Sequence, residues 1–151
     1  MECTTPLIGL LQRVSRAQVE VSGDTVGIIG PGLLVLVGVR PDDNEGSAQR
    51  LLSRLLQYRV FADAAGKMNL SLLQAKGELL LVPQFTLAAD TAKGLRPGFS
   101  TAAPPEQGRV LFDFLVRCAR EQITTVQTGL FGAHMQVSLT NDGPVTIWLE
   151  S

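Results

Sequence analysis

Gly30-Pro31-Gly32-Leu33-Leu34-Val35-Leu36-Val37-Gly38-Val39 is the stretch that decides the fold. The Gly-Pro-Gly triplet punctuates the chain. Leu33–Val39 then runs as Leu and Val with one Gly and no polar residue. A half-buried strand alternates polar with apolar, whereas a strand covered on both faces does not. The stretch therefore predicts a central strand with other elements packed on both of its sides. Glu78–Val82 reads as a second strand of the same kind. Upstream, Leu7–Val14 and Gln18–Val21 read as strands, and Val19 and Val21 alternate with Gln18 and Glu20. Ser22-Gly23-Asp24 is a turn signal and Thr25–Ile29 the return strand of a hairpin.

Downstream of the central strand the period changes. Pro41-Asp42-Asp43-Asn44 is a loop offering several helix N-caps. From Glu45 to Gln57 the apolar residues fall at Ala48, Leu51, Leu52, Leu55 and Leu56, which is helical spacing. Tyr58–Ala62 reads as a strand and Asp63–Lys67 as a turn. Pro105 suits the first turn of a second helix, with Val110, Leu111, Phe114, Leu115 and Cys118 as its apolar stripe. Thr124–Thr128, Met135–Thr140 and Val145–Glu150 close the chain as strands. The sum is one α/β domain, or a sheet-rich α+β one, over residues 7–151. It has about eight strands in mixed or barrel-like sheets and two main helices. Residues 1–6 read as a short N-terminal extension.

Composition narrows the function. The chain has 151 residues, 45% of them hydrophobic and 18% charged, as in a packed globular domain. Its net charge is −1 and its pI about 5.8. Broad binding to a phosphate backbone needs a basic stripe and is excluded; holding one nucleotide end in a pocket is not. No apolar run approaches the roughly 20 residues of a membrane helix, and no secretory signal is visible. The expectation is a cytoplasmic protein with no membrane partner. Cys3, Cys118 and His134 are the only residues of their types. Structural zinc wants four such ligands at close spacing, so no metal is expected, and the cysteines read as reduced thiols. There is no nucleophile elbow, phosphate loop or dinucleotide fingerprint, and no cofactor is expected. His134 falls on the polar face of an alternating strand and reads as a surface residue.

Two segments break the local pattern. Pro83-Gln84-Phe85-Thr86-Leu87 ends a buried strand and opens the segment Ala88–Pro105, which is rich in Ala, Gly, Thr and Pro and has no clear period. Loops of that length are uncommon in compact domains and are often functional. A strand end opening into a loop exposes backbone N–H groups that can receive an anion or an oxyanion. The alternative is an ordinary strand terminus, with Pro83 stopping the ladder. The second segment is Asn141-Asp142-Gly143-Pro144-Val145-Thr146, which as pattern is a turn before a final strand.

At these segments the chain resembles the D-aminoacyl-tRNA deacylases, also called D-tyrosyl-tRNA deacylases. Gln84-Phe85-Thr86-Leu87 and Asn141–Thr146 are similar to the family's two signature motifs. Leu11–Ala17, Gly30–Leu36, Gly66–Ser71 and Thr128–Met135 match further stretches in the family's order, from about Leu7 to Ser151. One departure is Pro83, where the family usually has Ser. A Pro there resembles a sister group of animal tRNA deacylases with Pro-Gln-Ala-Thr-Leu, although Phe85 and Val145 match the main family.

The resemblance implies hydrolysis of the ester between a D-amino acid, or glycine, and the 3′-terminal adenosine of tRNA. It implies a homodimer, no metal, and water activated by the tRNA's own 2′-hydroxyl. Gln84, Phe85, Thr86 and Leu87 would form the catalytic segment through positioning and backbone N–H groups. Thr86 would orient substrate or water, since a Thr nucleophile needs an adjacent base and none is evident. Gly143 and Pro144, joined by a cis bond, would turn their carbonyls toward the substrate ammonium and reject L side chains by clash. The motif would enter the other subunit's site, with Arg13 supporting it. Phe131 and Met135 are candidates for the adenosine wall, with burial in the core as the alternative. Lys93 and Arg96 could meet phosphates of the acceptor end, or be solvated loop charges. A competing reading, resting on Pro83, is a non-catalytic binding module for aminoacyl-tRNA 3′ ends on the same fold.

Overall fold

The structure is a computed structural model, and it describes residues 7–151; the expected extension over residues 1–6 and Cys3 lie outside them. The predicted central strand is β3 (Gly32–Gly38), preceded by β1 (Ile8–Val21) and β2 (Asp24–Ile29). Then come helix α1 (Glu45–Gln57), β4 (Phe61–Ala62), β5 (Met68–Leu70), the one-turn helix α2 (Leu72–Ala75) and β6 (Glu78–Pro83). A 3₁₀ turn (Phe85–Ala88), α3 (Pro105–Arg120), β7 (Val126–Thr128) and β8 (Gln136–Glu150) complete the chain.

The main sheet is mixed, in the order β2-β1-β3-β6-β7, with β8 on the other side of β1. β3 and β6 are parallel, as are β6 and β7; the pairs made by β1 are antiparallel. The sheet curls until its ends meet. A Cβ on Gly27 of β2 would stand 2.7 Å from the Thr128 carbonyl of β7, so only glycine permits this near-closure into a barrel.

Both faces of the central strands are covered, as the Leu/Val run requires. Leu33, Val35, Val37, Leu79 and Leu81 pack with Leu51, Leu52, Leu55 and Leu56 of α1 and Leu111, Phe112 and Leu115 of α3. On the other face Leu34, Leu80 and Val82 meet Val14, Ala17, Val19 and Ile29 inside the curl.

The structure redraws several expected elements. The first two strands are one. β1 pairs with β3 up to Val14 and with β2 from Ala17, so exposed Ser15 and Arg16 mark the hand-over and not a break. The strand expected at Tyr58–Ala62 shrinks to Phe61–Ala62. β5 and α2 were not expected, although Ser71 and Gln74 form a capping box that announces α2. The stripe of α3 is rotated: Gly108, Leu111, Phe112, Leu115, Val116 and Ala119 are buried, while Val110 is 60% exposed. Phe114 and Cys118 only flank the core. The last two strands are also one, β8.

Candidate active site

The 3₁₀ turn Phe85–Ala88 is set by the sheet. Gln84 N donates to the Val37 carbonyl at 2.8 Å, extending the β3–β6 ladder one residue past Pro83. Leu87 N then donates back to the Gln84 carbonyl at 3.2 Å and Ala89 N to the Thr86 carbonyl at 3.1 Å. The amides of Phe85 and Thr86 head the turn and have no protein acceptor among the described residues. Two of the expected anion-facing N–H groups are thus free, and that of Leu87 is occupied. The end of β3 presses on this turn: a Cβ on Gly38 would lie 3.0 Å from Leu87 Cβ.

The side chains of Phe85 and Thr86 face outward. Phe85 is 57% exposed and tilts against Phe99, with ring centroids 5.0 Å apart. Gln84 Nε2 donates to Thr86 Oγ1. That hydroxyl is held by an amide, and no carboxylate or imidazole hydrogen-bonds to it. Pro83 has no N–H to give the β6–β7 ladder, whose last rung is the Gly129 N–H on the Leu81 carbonyl. Leu79 N donates to Thr125 on the β7 side, so alternate residues Leu81 and Pro83 face the same way. β7 stops at Thr128, opposite Leu81. The Pro83 ring instead packs on Gly129, whose Cβ would sit 3.5 Å from Pro83 Cδ.

That contact brings the 129–135 loop beside the turn. Gly129 N donates to the Leu81 carbonyl at 2.9 Å. Phe131 is half-buried against Phe112 of α3, ring centroids 6.5 Å apart, on the helical side of the sheet. Met135 is half-buried too, under Leu130, whose N–H reaches Met135 Sδ at 3.4 Å, and it packs toward the barrel interior. Both take part in core packing and keep an exposed edge. His134 is exposed.

The segment Ala88–Pro105 is not structureless. Asp90 N donates to the Gly98 carbonyl at 2.7 Å and Gly98 N returns to the Asp90 carbonyl at 2.9 Å, making a small hairpin. Thr101 Oγ1 donates to the Ala88 carbonyl at 2.5 Å, and Ala103 N to the Val39 carbonyl at 2.9 Å. Lys93 and Arg96 are exposed at the hairpin tip.

Asn141–Thr146 is a hump inside β8. Val14 pairs with Asn141 and Gln12 with Thr146, so Asp142–Val145 stand where the ladder has room only for a partner of Arg13. Asn141 Oδ1 accepts from Val145 N at 2.7 Å, and its Nδ2 donates to Thr146 Oγ1 at 2.9 Å. The Gly143-Pro144 bond is cis and Gly143 has φ +144°. Arg13 lies beneath: its Nε donates to the Asp142 carbonyl at 2.8 Å and its Nη1 to the Val60 carbonyl at 2.6 Å. Among the described residues no hydrogen bond joins the two motifs within one chain. Gly143 is three strands from β6 and about four residues further along the ladder, a path along the sheet on the order of 20 Å.

Among the described residues no group of three or more His, Cys, Asp or Glu side chains could hold a metal ion. No described helix is long and apolar enough to cross a membrane.

The family model for D-Tyr-tRNA(Tyr) deacylase matches residues 10–150, and the chain belongs to that family. It is 63% identical over 142 residues to the D-aminoacyl-tRNA deacylase of Azotobacter vinelandii, covering 94% of this chain and 98% of that one. Identity to the D-aminoacyl-tRNA deacylase of Thioalkalivibrio sulfidiphilus is 63% over 144 residues, covering 95% and 97%. A solved structure described as c-Myc DNA Unwinding Element Binding Protein superposes with a TM-score of 0.91 at 38% identity, over 95% of this chain and 98% of that one. A probable eukaryotic D-amino acid tRNA deacylase shares the fold at a TM-score of 0.86 and 17% identity, over 97% and 100%.

Proposed function

We propose that this protein hydrolyses the ester joining a D-amino acid to the 3′-terminal adenosine of tRNA, working in the cytoplasm as a homodimer. The observation that carries the reading is the pair of free amides of Phe85 and Thr86 at an exposed turn, in a chain of this family. An aminoacyl ester is already activated. Two N–H donors aimed at the carbonyl oxygen stabilise the oxyanion that develops when water attacks, and the adjacent 2′-hydroxyl of the substrate takes the role of base. No side-chain base is then required. Gln84 and Thr86, hydrogen-bonded to each other, orient the ester. Phe131 and Met135 offer exposed edges to the adenosine.

Gly143 and Pro144 of one subunit select the substrate in the other. Their backbone accepts from the substrate ammonium, and an L side chain runs into it; glycine has no side chain to reject and is cleaved too, including from tRNA-Ala. The distance between the two motifs within one chain supports a site completed by a second copy. Arg13 positions this segment through Asp142. Pro83 gives little support to a binding module without catalysis, since it removes one possible β6–β7 rung and leaves the amides of Phe85 and Thr86 free.

Incubating the protein with D-Tyr-tRNA and L-Tyr-tRNA and following ester loss tests the reading. Rapid loss of the D ester alone is expected. Survival of both esters with tRNA bound would leave the binding module as the correct account.

A further inference from the structure

The Asp90–Gly98 hairpin carries chemistry that ester hydrolysis at the turn does not use. The paired Asp90–Gly98 amides close its base, and two hydrogen bonds tie the chain that follows to the site: Thr101 on Ala88, and Ala103 on Val39 at the exit of β3. Its tip is bare. Gly94 turns the chain at φ +67°, and Leu95 is fully exposed at 103%. Lys93 and Arg96 flank it, both exposed. The nearest acid in sequence, Asp90, is turned to its own loop, where Oδ1 accepts from Ala92 N at 2.9 Å. The ion pairs among the described residues are Arg13–Asp142 and Arg109–Glu106, so neither tip cation is neutralised.

An acidic chain thus holds two unpaired cations on a fixed arm beside the candidate site. Two single charges do not make a nucleic-acid coat, but they match a short run of phosphates. The tip projects from the Asp90–Gly98 bridge through a run of bends and a turn at Gly94. Cations set off from the turn in this way meet phosphates of the strand that leads to an adenosine held there, and not the ester itself. Leu95, between the cations, gives a base or ribose an apolar face.

We propose that this hairpin is a second recognition arm, which grips the sugar-phosphate backbone of the tRNA's single-stranded end upstream of the terminal adenosine. The inference rests on the tRNA-ester reading above and adds the part of the substrate that is read. The arm sets how much better a whole tRNA is cleaved than its terminal nucleoside.

The test compares D-Tyr-tRNA with 3′-D-Tyr-adenosine, which has no phosphate, for wild type and a Lys93→Ala, Arg96→Ala double variant. Both positions are exposed, and circular dichroism checks the fold. Each phosphate contact on a single strand contributes about 0.7 to the slope of log affinity against log salt. The double variant should therefore flatten the salt dependence of kcat/KM on tRNA by about 1.4. The ratio of kcat/KM for tRNA to that for the nucleoside should fall about tenfold at 0.15 M salt. An unchanged ratio and slope with an active wild type would overturn the arm alone. Equal losses on both substrates would also overturn it, by placing the cations at the ester. A wild type that cleaves neither substrate would overturn the activity reading, and the arm with it.

Discussion

Arg13 Nε donates to the carbonyl of Asp142 at 2.8 Å, while the same guanidinium reaches the Val60 carbonyl at 2.6 Å through Nη1. One side chain from the middle of β1 thus ties the hump of β8 to the chain leaving α1. The fork of the guanidinium makes this possible, since a single ammonium cannot hold both carbonyls in fixed directions. The carboxylate of Asp142, 63% exposed and 3.8 Å away, adds little.

Arg13→Ala should therefore loosen the hump and strand two carbonyls. Hydrogen bonds to a charged group contribute about 1.5–3 kcal/mol each, and a stability loss of about 2 kcal/mol is expected in urea titration. Cleavage of D-Tyr-tRNA should fall at least tenfold, about 1.4 kcal/mol in the transition state. Arg13→Lys should regain part of the stability and little of the activity. An Arg13→Lys enzyme as active as wild type would show that the fork is not needed.

Thr86→Ala should retain measurable deacylation. Its hydroxyl accepts from Gln84 Nε2 and has no base beside it, so it lacks what a nucleophile requires. Mass spectrometry of a quenched reaction checks this. A trapped acyl-Thr86, or complete loss of activity with tRNA still bound, would reverse the assignment.

Two copies are expected in solution. The free-amide turn and the Gly143 hump are separated by a path on the order of 20 Å along the sheet of one chain, while β8 pairs with β1 alone and leaves its other edge open. Sedimentation equilibrium at micromolar concentration should give twice the 16.2 kDa of the chain. A fully active monomer would refute the shared site.

Asp43 gives a pH dependence of stability. It is 7% exposed, one carboxylate oxygen has no partner, and burial raises its pKa above the ordinary 3.8. The hydrogen bond from Arg40 N to Asp43 Oδ2, 2.8 Å, opposes the shift without cancelling it. A raised carboxyl pKa means that the folded state holds the proton more tightly than the unfolded one. Its contribution to stability is present below 3.8 and is lost as pH rises from there through the folded pKa. Asp43→Asn should remove that slope. Urea unfolding from pH 4 to 7 decides it, and parallel profiles for the two proteins would contradict the burial argument.

Much of this was legible in the chain. The Leu33–Val39 run announced a strand covered on both faces, and the spacing of Ala48, Leu51, Leu52, Leu55 and Leu56 gave α1 its observed bounds. What local pattern missed has long-range causes. The polar pair Ser15 and Arg16 looks like a strand break because the change of partner from β3 to β2 is invisible locally. The Asn141–Val145 hump looks like a turn because the strand resumes along the same neighbour, β1, which only the register reveals. In the candidate site, Gln84–Leu87 and Gly143-Pro144 were singled out through resemblance and not through pattern. The Val60 carbonyl that anchors Arg13 was not, since a backbone acceptor leaves no sequence signal. Phe99, the ring against Phe85, was overlooked although it is the only aromatic residue of the loop.

Gly143 is where sterics give the sharpest test. Its φ of +144° lies in a region that L side chains rarely adopt. A Cβ added there would stand 2.8 Å from Val145 Cγ2, 2.9 Å from Val145 N and 3.1 Å from Arg13 Nη2. Two of these neighbours cannot yield freely. Val145 N is held by Asn141 Oδ1 at 2.7 Å, and Arg13 is held by two carbonyls. Gly143→Ala must therefore move the segment proposed to receive the substrate ammonium. Backbone strain of this kind costs about 1–3 kcal/mol, but Asp142–Val145 lie outside the β1–β8 ladder, so the fold should survive. Loss of a charge-assisted hydrogen bond costs about 1.5–3 kcal/mol, equal to about a 10- to 150-fold fall in kcat/KM for D-Tyr-tRNA if felt in the transition state. Discrimination against L-Tyr-tRNA should weaken as well, because the backbone that blocks the L side chain has moved. Circular dichroism and dimer mass serve as controls. A Gly143→Ala protein that folds, dimerises and cleaves the D ester at the wild-type rate would show that the hump is only a turn within an edge strand.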